Sequence, residues 1–530
     1  MQVFRPSHRT IALSLALVLL TTATAEARPA THASSKKARK APARRAARGG
    51  RIVAWMESGG RTRAGSSGGS GDPAKPQSGG KPHGGGTTTG GGTTTGGGTT
   101  TGGGTTTSGG GTTTGGGTTG GTTTPPSAGL YVDGGSLGGA CDDSRTPAQV
   151  TFQTPWCTIA TAANKAPAGS TVYVRGGTYT QLVAPQLAAI DFRAYGTEQP
   201  VIAGLQVGGA GFAFRGFKFT DTLSITNFNG VTIANNEIAL TPNGLSTPNG
   251  VSLTPPGSNF TFTGNYVHDG QLGILTRQPG SLSPFTNFTI AGNRFVRNGG
   301  VVMHINYADN WIVRGNEFAD NGRFANIDPN VHPDAIHIVG ADDSLLFDSN
   351  YVHSTTGGRG FLFEPTGNTQ SHVVVQNNVV VGTTNDFALR VTCGTPGMVI
   401  VNNTFWLGQP TQGDGLHLGS SQSTTTPNLV VENNIVNHFE VDSGAYPVTF
   451  ASADYNMVGV REPSTPTPVG AHDVAGPPRF VALSAPTWNA RLVQGSPGID
   501  AGDTAVAPLL DADGHARGRV ADIGAYEFGT

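Results

Sequence analysis

The middle of the chain repeats one pattern: a short run of β-branched or aromatic residues, an Asn, then a second short apolar run. It reads Val231-Thr-Ile-Ala-Asn-Asn236-Glu-Ile, Phe260-Thr-Phe-Thr-Gly-Asn265-Tyr-Val, Phe288-Thr-Ile-Ala-Gly-Asn293-Arg-Phe and Trp311-Ile-Val-Arg-Gly-Asn316-Glu-Phe. It continues through Asn350, Asn378, Asn403 and Asn434, at intervals of 29, 28, 23, 34, 28, 25 and 31 residues. Alternation within a run marks a strand with one buried face, and a period of roughly 20 to 50 residues marks stacked supersecondary units. Asn tolerates a left-handed backbone, so it suits a tight bend between strands, and stacked Asn amides can hydrogen-bond along the axis. The pattern predicts a solenoid with one coil per repeat.

Upstream of each Asn, beyond a loop of variable length, lies a second strand. Its copies are Val251-Ser252-Leu253, Ile274-Leu275-Thr276, Met303-His304-Ile305, Ile336-His337-Ile338, Phe361-Leu362-Phe363, Leu389-Arg390-Val391 and Leu416-His417-Leu418. Period two sends the flanking residues inward and the middle ones outward. The outward column is then Ser252, Leu275, His304, His337, Leu362, Arg390 and His417. Two positions on, the same face carries Thr254, Arg277, Asn306, Val339, Glu364, Thr392 and Gly419. A slip of one residue would turn the whole column inward, so register is the sensitive step.

Composition separates this body from what precedes it. Gly accounts for 80 of 530 residues, and many of them sit in the GGGTTT rhythm of residues 84–124, which cannot bury apolar area and reads as a flexible tether. Up to residue 126 there are 15 Lys+Arg against 3 Asp+Glu, and beyond it 18 against 31, so a basic leader precedes an acidic body. Residues 1–27 carry Arg5 and Arg9, an apolar run over 11–20 and small residues after it, which predicts a secretory signal peptide and a secreted protein. Residues 28–51 hold nine basic side chains and no acidic one, a solvated segment with envelope contact as its functional alternative. No later run is apolar enough to span a bilayer, and the acidic body argues against nucleic acid. A monomer is expected.

Ordered sequence begins near Gly129. Cys141 and Cys157 bracket a polar loop and are expected to form a disulfide, leaving Cys393 as a buried thiol. A short helix is predicted over 159–165 and a strand over 171–174. With the repeats and the C-terminal segments Gly495-Ser-Pro-Gly-Ile-Asp500-Ala-Gly, Asp511-Ala-Asp-Gly and Asp522-Ile-Gly-Ala-Tyr-Glu527, the chain from residue 129 onward resembles secreted bacterial proteins of the pectate-lyase-like superfold. The resemblance implies an all-β, right-handed single-stranded parallel β-helix with an N-terminal helix cap (127–200), repeats (201–455) and a C-terminal capping segment (456–530).

In this register His304 and His337 occupy adjacent coils, about 5 Å apart. With Glu364 and Arg390 beside them they form a patch suited to acid/base or metal chemistry. Asp334 and His332, just before the His337 strand, are placed to orient or ligate there. The catalytic candidates are His304, His337, Arg390 and Asp334; the substrate-binding candidates are Glu364, His417, Arg277 and Asn306. His268-Asp269 and Asp342-Asp343 read as turn residues. Asp500, Asp503, Asp511, Asp513 and Asp522 read as loop stabilisers. No cofactor is required, and Ca²⁺ is the cation to consider.

The resemblance also implies reaction classes. Polygalacturonases of this fold rely on paired carboxylates and on motifs of which only Asp342-Asp343 has an answer here. Lyases of the superfamily take the proton beside a uronate carboxylate, using Lys or Arg as base and often Ca²⁺. Beyond Ser127 the lysines are Lys165 and Lys218 alone, which leaves Arg390 and His337 as base candidates. The expected function is an extracellular protein that binds, and by β-elimination cleaves, a polysaccharide along its outer sheet. The competing class is a non-catalytic surface or matrix protein.

Overall fold

Each repeat forms one coil of three strands, and each strand pairs in parallel with its counterpart in the next coil. The computed structural model describes residues 129–530 except 244–246, 278–283, 323–332, 365–368, 383–386, 393, 408–412, 420–424, 444–446 and 464. The signal-peptide and linker assignments, His332 and Cys393 therefore lie outside the described residues.

The three stacks of strands form three faces, here called sheets I, II and III. One coil shows the order: Met303–Asn306 in sheet I, Ala308–Arg314 in sheet II and Glu317–Ala319 in sheet III, with Ile336–Val339 opening the next coil beside Met303–Asn306. Parallel pairing in sheet II begins with Leu130–Val132 on Thr171–Val174 and runs to Val448–Asp454. Coils thus start well before the segment in which the Asn motif is visible. The helix Ile159–Lys165 forms as expected, with the Thr158 hydroxyl accepting the Thr161 N–H at its N-terminus. Cys141 and Cys157 are joined, with Cα atoms 4.9 Å apart.

The bend from sheet II to sheet III divides its work between two neighbouring residues. The ladder Asn itself is buried: the Asn265 Oδ1 accepts both the backbone N–H and the side-chain Nδ2 of Asn236, each at 3.0 Å. The same pair of bonds links Asn265 to Asn293, and so on through Asn316, Asn350, Asn378, Asn403 and Asn434 to Asn456. The left-handed conformation belongs instead to the preceding residue, which is Gly264, Gly292, Gly315, Ser349, Asn377, Asn402 or Asn433, all with φ between 54° and 65°. The first residue needs a left-handed backbone and the second a side chain that both donates and accepts, which is why the first position is Gly or Asn in all of these but Ser349 while the second is always Asn.

Inside the coil the apolar residues stack in register. Phe288 lies 4.3 Å from Trp311 at 18°, and Phe295 lies 5.1 Å from Phe318 at 10°. A parallel stack brings like side chains over like at the strand spacing, so aromatic rings meet face to face with an offset.

The last segment does not simply close the open end. It lies along sheet III, where Phe480, Trp488, Leu492, Ile523 and Ala525 pack on Val379, Val381, Trp406, Ile435 and Met457. Among the described residues its apolar packing partners on the solenoid all belong to sheet III. Among the described residues no helix is long and apolar enough to cross a membrane.

Candidate functional site

Sheet I is bordered by both families of variable loops, those arriving from sheet III and those leaving for sheet II. Its register brings the outward column together coil by coil. Ser252 pairs with Leu275, Leu275 with His304, His304 with His337, His337 with Leu362, Leu362 with Arg390 and Arg390 with His417. The next coil adds Glu440 beside His417.

The imidazoles of His304 and His337 stand 5.3 Å apart between centroids and nearly perpendicular, at 80°. His337 Nε2 lies 3.2 Å from Glu364 Oε2, so a carboxylate faces one of the two rings. His304 Nδ1 faces the Asn306 amide at 2.9 Å, an arrangement in which the amide donates and the ring accepts. Such a bond fixes the proton of a neutral ring on the other nitrogen, turned away from Asn306.

Two coils beyond His337, the Arg390 guanidinium lies 4.6 Å over the Phe387 ring. No carboxylate among the described residues pairs with it, and its buried Nε has no hydrogen-bond partner. Phe387 also meets the His417 ring edge-on at 4.9 Å, so one aromatic side chain packs against both the Arg390 guanidinium and the His417 imidazole. His417 Nε2 is 3.1 Å from Asp442 Oδ1, and its Nδ1 is 3.7 Å from Glu440 Oε2.

The remaining candidates fall elsewhere. Arg277 sits at the other end of the column, exposed, with its Nε donating to the Ser252 hydroxyl at 2.6 Å. Asp334 is fully buried; it accepts the Arg359 backbone N–H at 2.9 Å and lies 3.7 Å from the Arg359 guanidinium. That position anchors the loop behind His337 and is closed to a ligand on the outer face. Asp342 is likewise interior: it accepts the Ala308 N–H at 2.7 Å and the Gln370 amide at 3.0 Å, joining three coils. Burial pushes its carboxyl up to about 7. It cannot serve as the outward carboxylate that a hydrolase of this fold would need. Asp343 faces solvent instead and accepts from Ser371.

Glu440 and Asp442 are functional-site residues that the sequence reading passed over. The strand Ile435–Val441 runs from sheet III directly into sheet I, pairing with Thr404–Trp406 at one end and Asp414–Leu418 at the other. No loop separates the two parts, so counting back to a separate strand before the next Asn never reaches them. The alternation Phe439-Glu440-Val441-Asp442 is the signal that places both carboxylates outward.

The C-terminal carboxylates serve their loops. Asp511 accepts the N–H groups of Asp513, His515 and Glu527, and Asp522 those of Asp500 and Phe528. Asp513 pairs with Arg491 through both oxygens.

Residues 204–436 match the family model described as the right handed beta helix region. The chain is a right-handed parallel β-helix protein. No curated relative matches it. Among solved structures it is similar to a rhamnogalacturonan lyase, at 13% identity over 69% of this chain and 97% of that one, with a TM-score of 0.38. It is similar also to pectate lyase Pel9A, at 15% identity over 76% and 97% with a TM-score of 0.38. The Streptococcus pneumoniae surface protein and adhesin PfbA matches at 10% identity over 57% and 94%, with a TM-score of 0.34.

Proposed function

We propose that the outward face of sheet I binds an acidic polysaccharide laid along the coil axis, and that the His337 region cleaves it by β-elimination. One observation carries the reading: Arg390 presents a guanidinium with no carboxylate partner among the described residues, on an otherwise acidic body, in line with the imidazoles of His337 and His417. A half-buried cation left without an anion is costly unless a ligand supplies one, and a guanidinium matches a carboxylate in geometry as well as charge.

In the cleavage step, Arg390 holds the uronate carboxylate and draws charge from the carbon beside it, which makes the proton on that carbon more acidic. The His337 imidazole takes the proton, and Glu364 stabilises the imidazolium that results. The carbon–oxygen bond to the next sugar then breaks as the new double bond forms; the His304 N–H donates a hydrogen bond to the departing oxygen, which takes its proton from solvent. Asp334 acts as a positioning residue through Arg359. Arg277 and Asn306 extend the binding face toward the N-terminal coils, and His417 extends it the other way.

Secretion is part of the same proposal. The disulfide between Cys141 and Cys157 suits an oxidising compartment, and the leader of residues 1–27 has the composition of an export signal. The basic stretch of residues 28–51 is proposed to contact anionic envelope polymer.

The test is incubation of the full chain with a panel of uronate polysaccharides, with and without Ca²⁺, while following the absorbance of unsaturated product. The expected result is product from at least one polymer, a rate about 100-fold lower in His337→Ala, and weakened polymer binding in Arg390→Ala. Binding that depends on Arg390 without any product sinks the lyase and favours the adhesive surface protein. Absence of binding to every polymer sinks both.

A further inference from the structure

We propose a divalent transition-metal site at the C-terminal end of sheet I, with His417, Glu440 and Asp442 as ligands and Zn²⁺ as the ion it selects. The inference goes beyond the polysaccharide reading and stands whether or not a polymer binds.

The three side chains converge by register. Glu440 and Asp442 are two apart on one strand and therefore share a face, and His417 is the neighbour of Glu440 on the preceding coil. One nitrogen of the imidazole and one oxygen of each carboxylate lie within 4.8 Å of one another. The His417 Nε2 to Asp442 Oδ1 separation of 3.1 Å is already that of two donors on one zinc, whose bonds to nitrogen and oxygen are about 2.0–2.2 Å. The imidazole side chain is 10% exposed, while those of Glu440 and Asp442 are 25% and 33% exposed. The ring is thus the more buried anchor, and the two carboxylates approach it from the solvent side.

Gly419 shows how the convergence is made possible. It occupies the outward position two residues beyond His417, where the other coils carry Asn306, Val339 and Thr392. A Cβ there would stand 1.8 Å from Asp442 Oδ2 and 2.3 Å from its Cγ. The missing side chain is what lets the Asp442 carboxylate lie back across the coil boundary onto His417.

An imidazole with two carboxylates suits Zn²⁺ or a similar ion, whereas Ca²⁺ takes six to eight oxygens. The second group of this kind among the described residues, Asp511, Asp513 and His515, is a poorer candidate, because Asp511 is spent on backbone N–H groups and Asp513 on Arg491.

Calorimetric titration of Zn²⁺ into the full chain near neutral pH tests this, with circular dichroism to confirm folding of each variant. Asp442→Asn, whose site is partly exposed, should weaken the site by roughly tenfold or more, and His417→Ala likewise. Gly419→Ala keeps all three donors but displaces Asp442, and should weaken it by roughly tenfold too. Asp513→Asn should leave it unchanged, and Ca²⁺ in excess should not displace the zinc. An isotherm that Asp442→Asn and Gly419→Ala leave unaltered overturns the site. Displacement by Ca²⁺ overturns the assignment of the ion, and absence of any zinc binding overturns the proposal outright.

Discussion

At the scale of single residues, Asp342 shows how far burial can move a group that the sequence presents as half of an ordinary Asp-Asp turn. It is buried between coils, and with loss of hydration outweighing the bonds from Ala308 and Gln370, its carboxyl is raised to about 7. A raised acid contributes stability that is fully present below its ordinary value near 4 and is lost as pH climbs through the folded value near 7. Asp342→Asn removes the titration while keeping the shape. It should therefore match the parent in urea unfolding near pH 4.5 and exceed it at pH 8, by an amount on the order of 3 kcal/mol. Equal stability differences at the two pH values would show that Asp342 does not titrate as its burial requires. Glu317 behaves in the opposite sense: the His353 bond and the Arg294 guanidinium hold it down at about 2, so its contribution is lost only in strong acid.

Among the elements, the buried Asn ladder is the one whose removal has the clearest consequence. In Asn350→Ala the backbone N–H and Nδ2 of Asn316 lose their acceptor, and the Val313 carbonyl loses its donor, all inside the coil. Each orphaned group costs about 1–3 kcal/mol, so a loss of roughly 3 kcal/mol or more is expected in denaturant unfolding. A loss below about 1 kcal/mol would mean that water replaces the ladder. The same element explains what was readable beforehand. The ladder sets the frame of each coil, and counting from Asn316, Asn350, Asn378, Asn403 and Asn434 put His304, His337, Arg390 and His417 on one face, where the structure has them. Three things escaped that ruler. The left-handed position proved to be the residue before the ladder Asn, because a strand-to-strand bend and an amide column make separate demands on the chain. Asp334 and Asp342 looked like surface residues, because local pattern says nothing about which loop folds under which coil. Glu440 and Asp442 were missed because their coil has no loop between sheets III and I.

At the scale of the whole solenoid, the three faces have different fates, and sheet III is split between two of them. Its early coils are lined with paired charges, Lys218 with Glu237 and Arg294 with Glu317, and face solvent. Its later coils carry Val379, Val381, Trp406 and Ile435, which the C-terminal segment covers. The left-handed bend residues of the early coils are Asn235, Gly264, Gly292 and Gly315, while the coils under the segment carry three asparagines there, Asn377, Asn402 and Asn433. Each of these asparagines bonds the segment: Asn377 through Leu510 and Arg517, Asn402 through Asp522 and Gly524, Asn433 through Asp503. The Asn residues thus serve the bend and the clamp at once, which Gly could not. Removing residues 503–530 should strip protection in hydrogen exchange from Val379–Val381, Thr404–Trp406 and Ile435–Val441 while leaving Tyr266–His268 and Arg294–Val296 protected, since coils couple only to their neighbours. Loss of protection along the entire sheet would show instead that the segment stabilises the solenoid as one cooperative unit. Because the segment packs on sheet III, the first outcome should leave His304 and His337 of sheet I in place and the truncated chain still able to bind polymer, whereas the second should abolish that binding along with the fold.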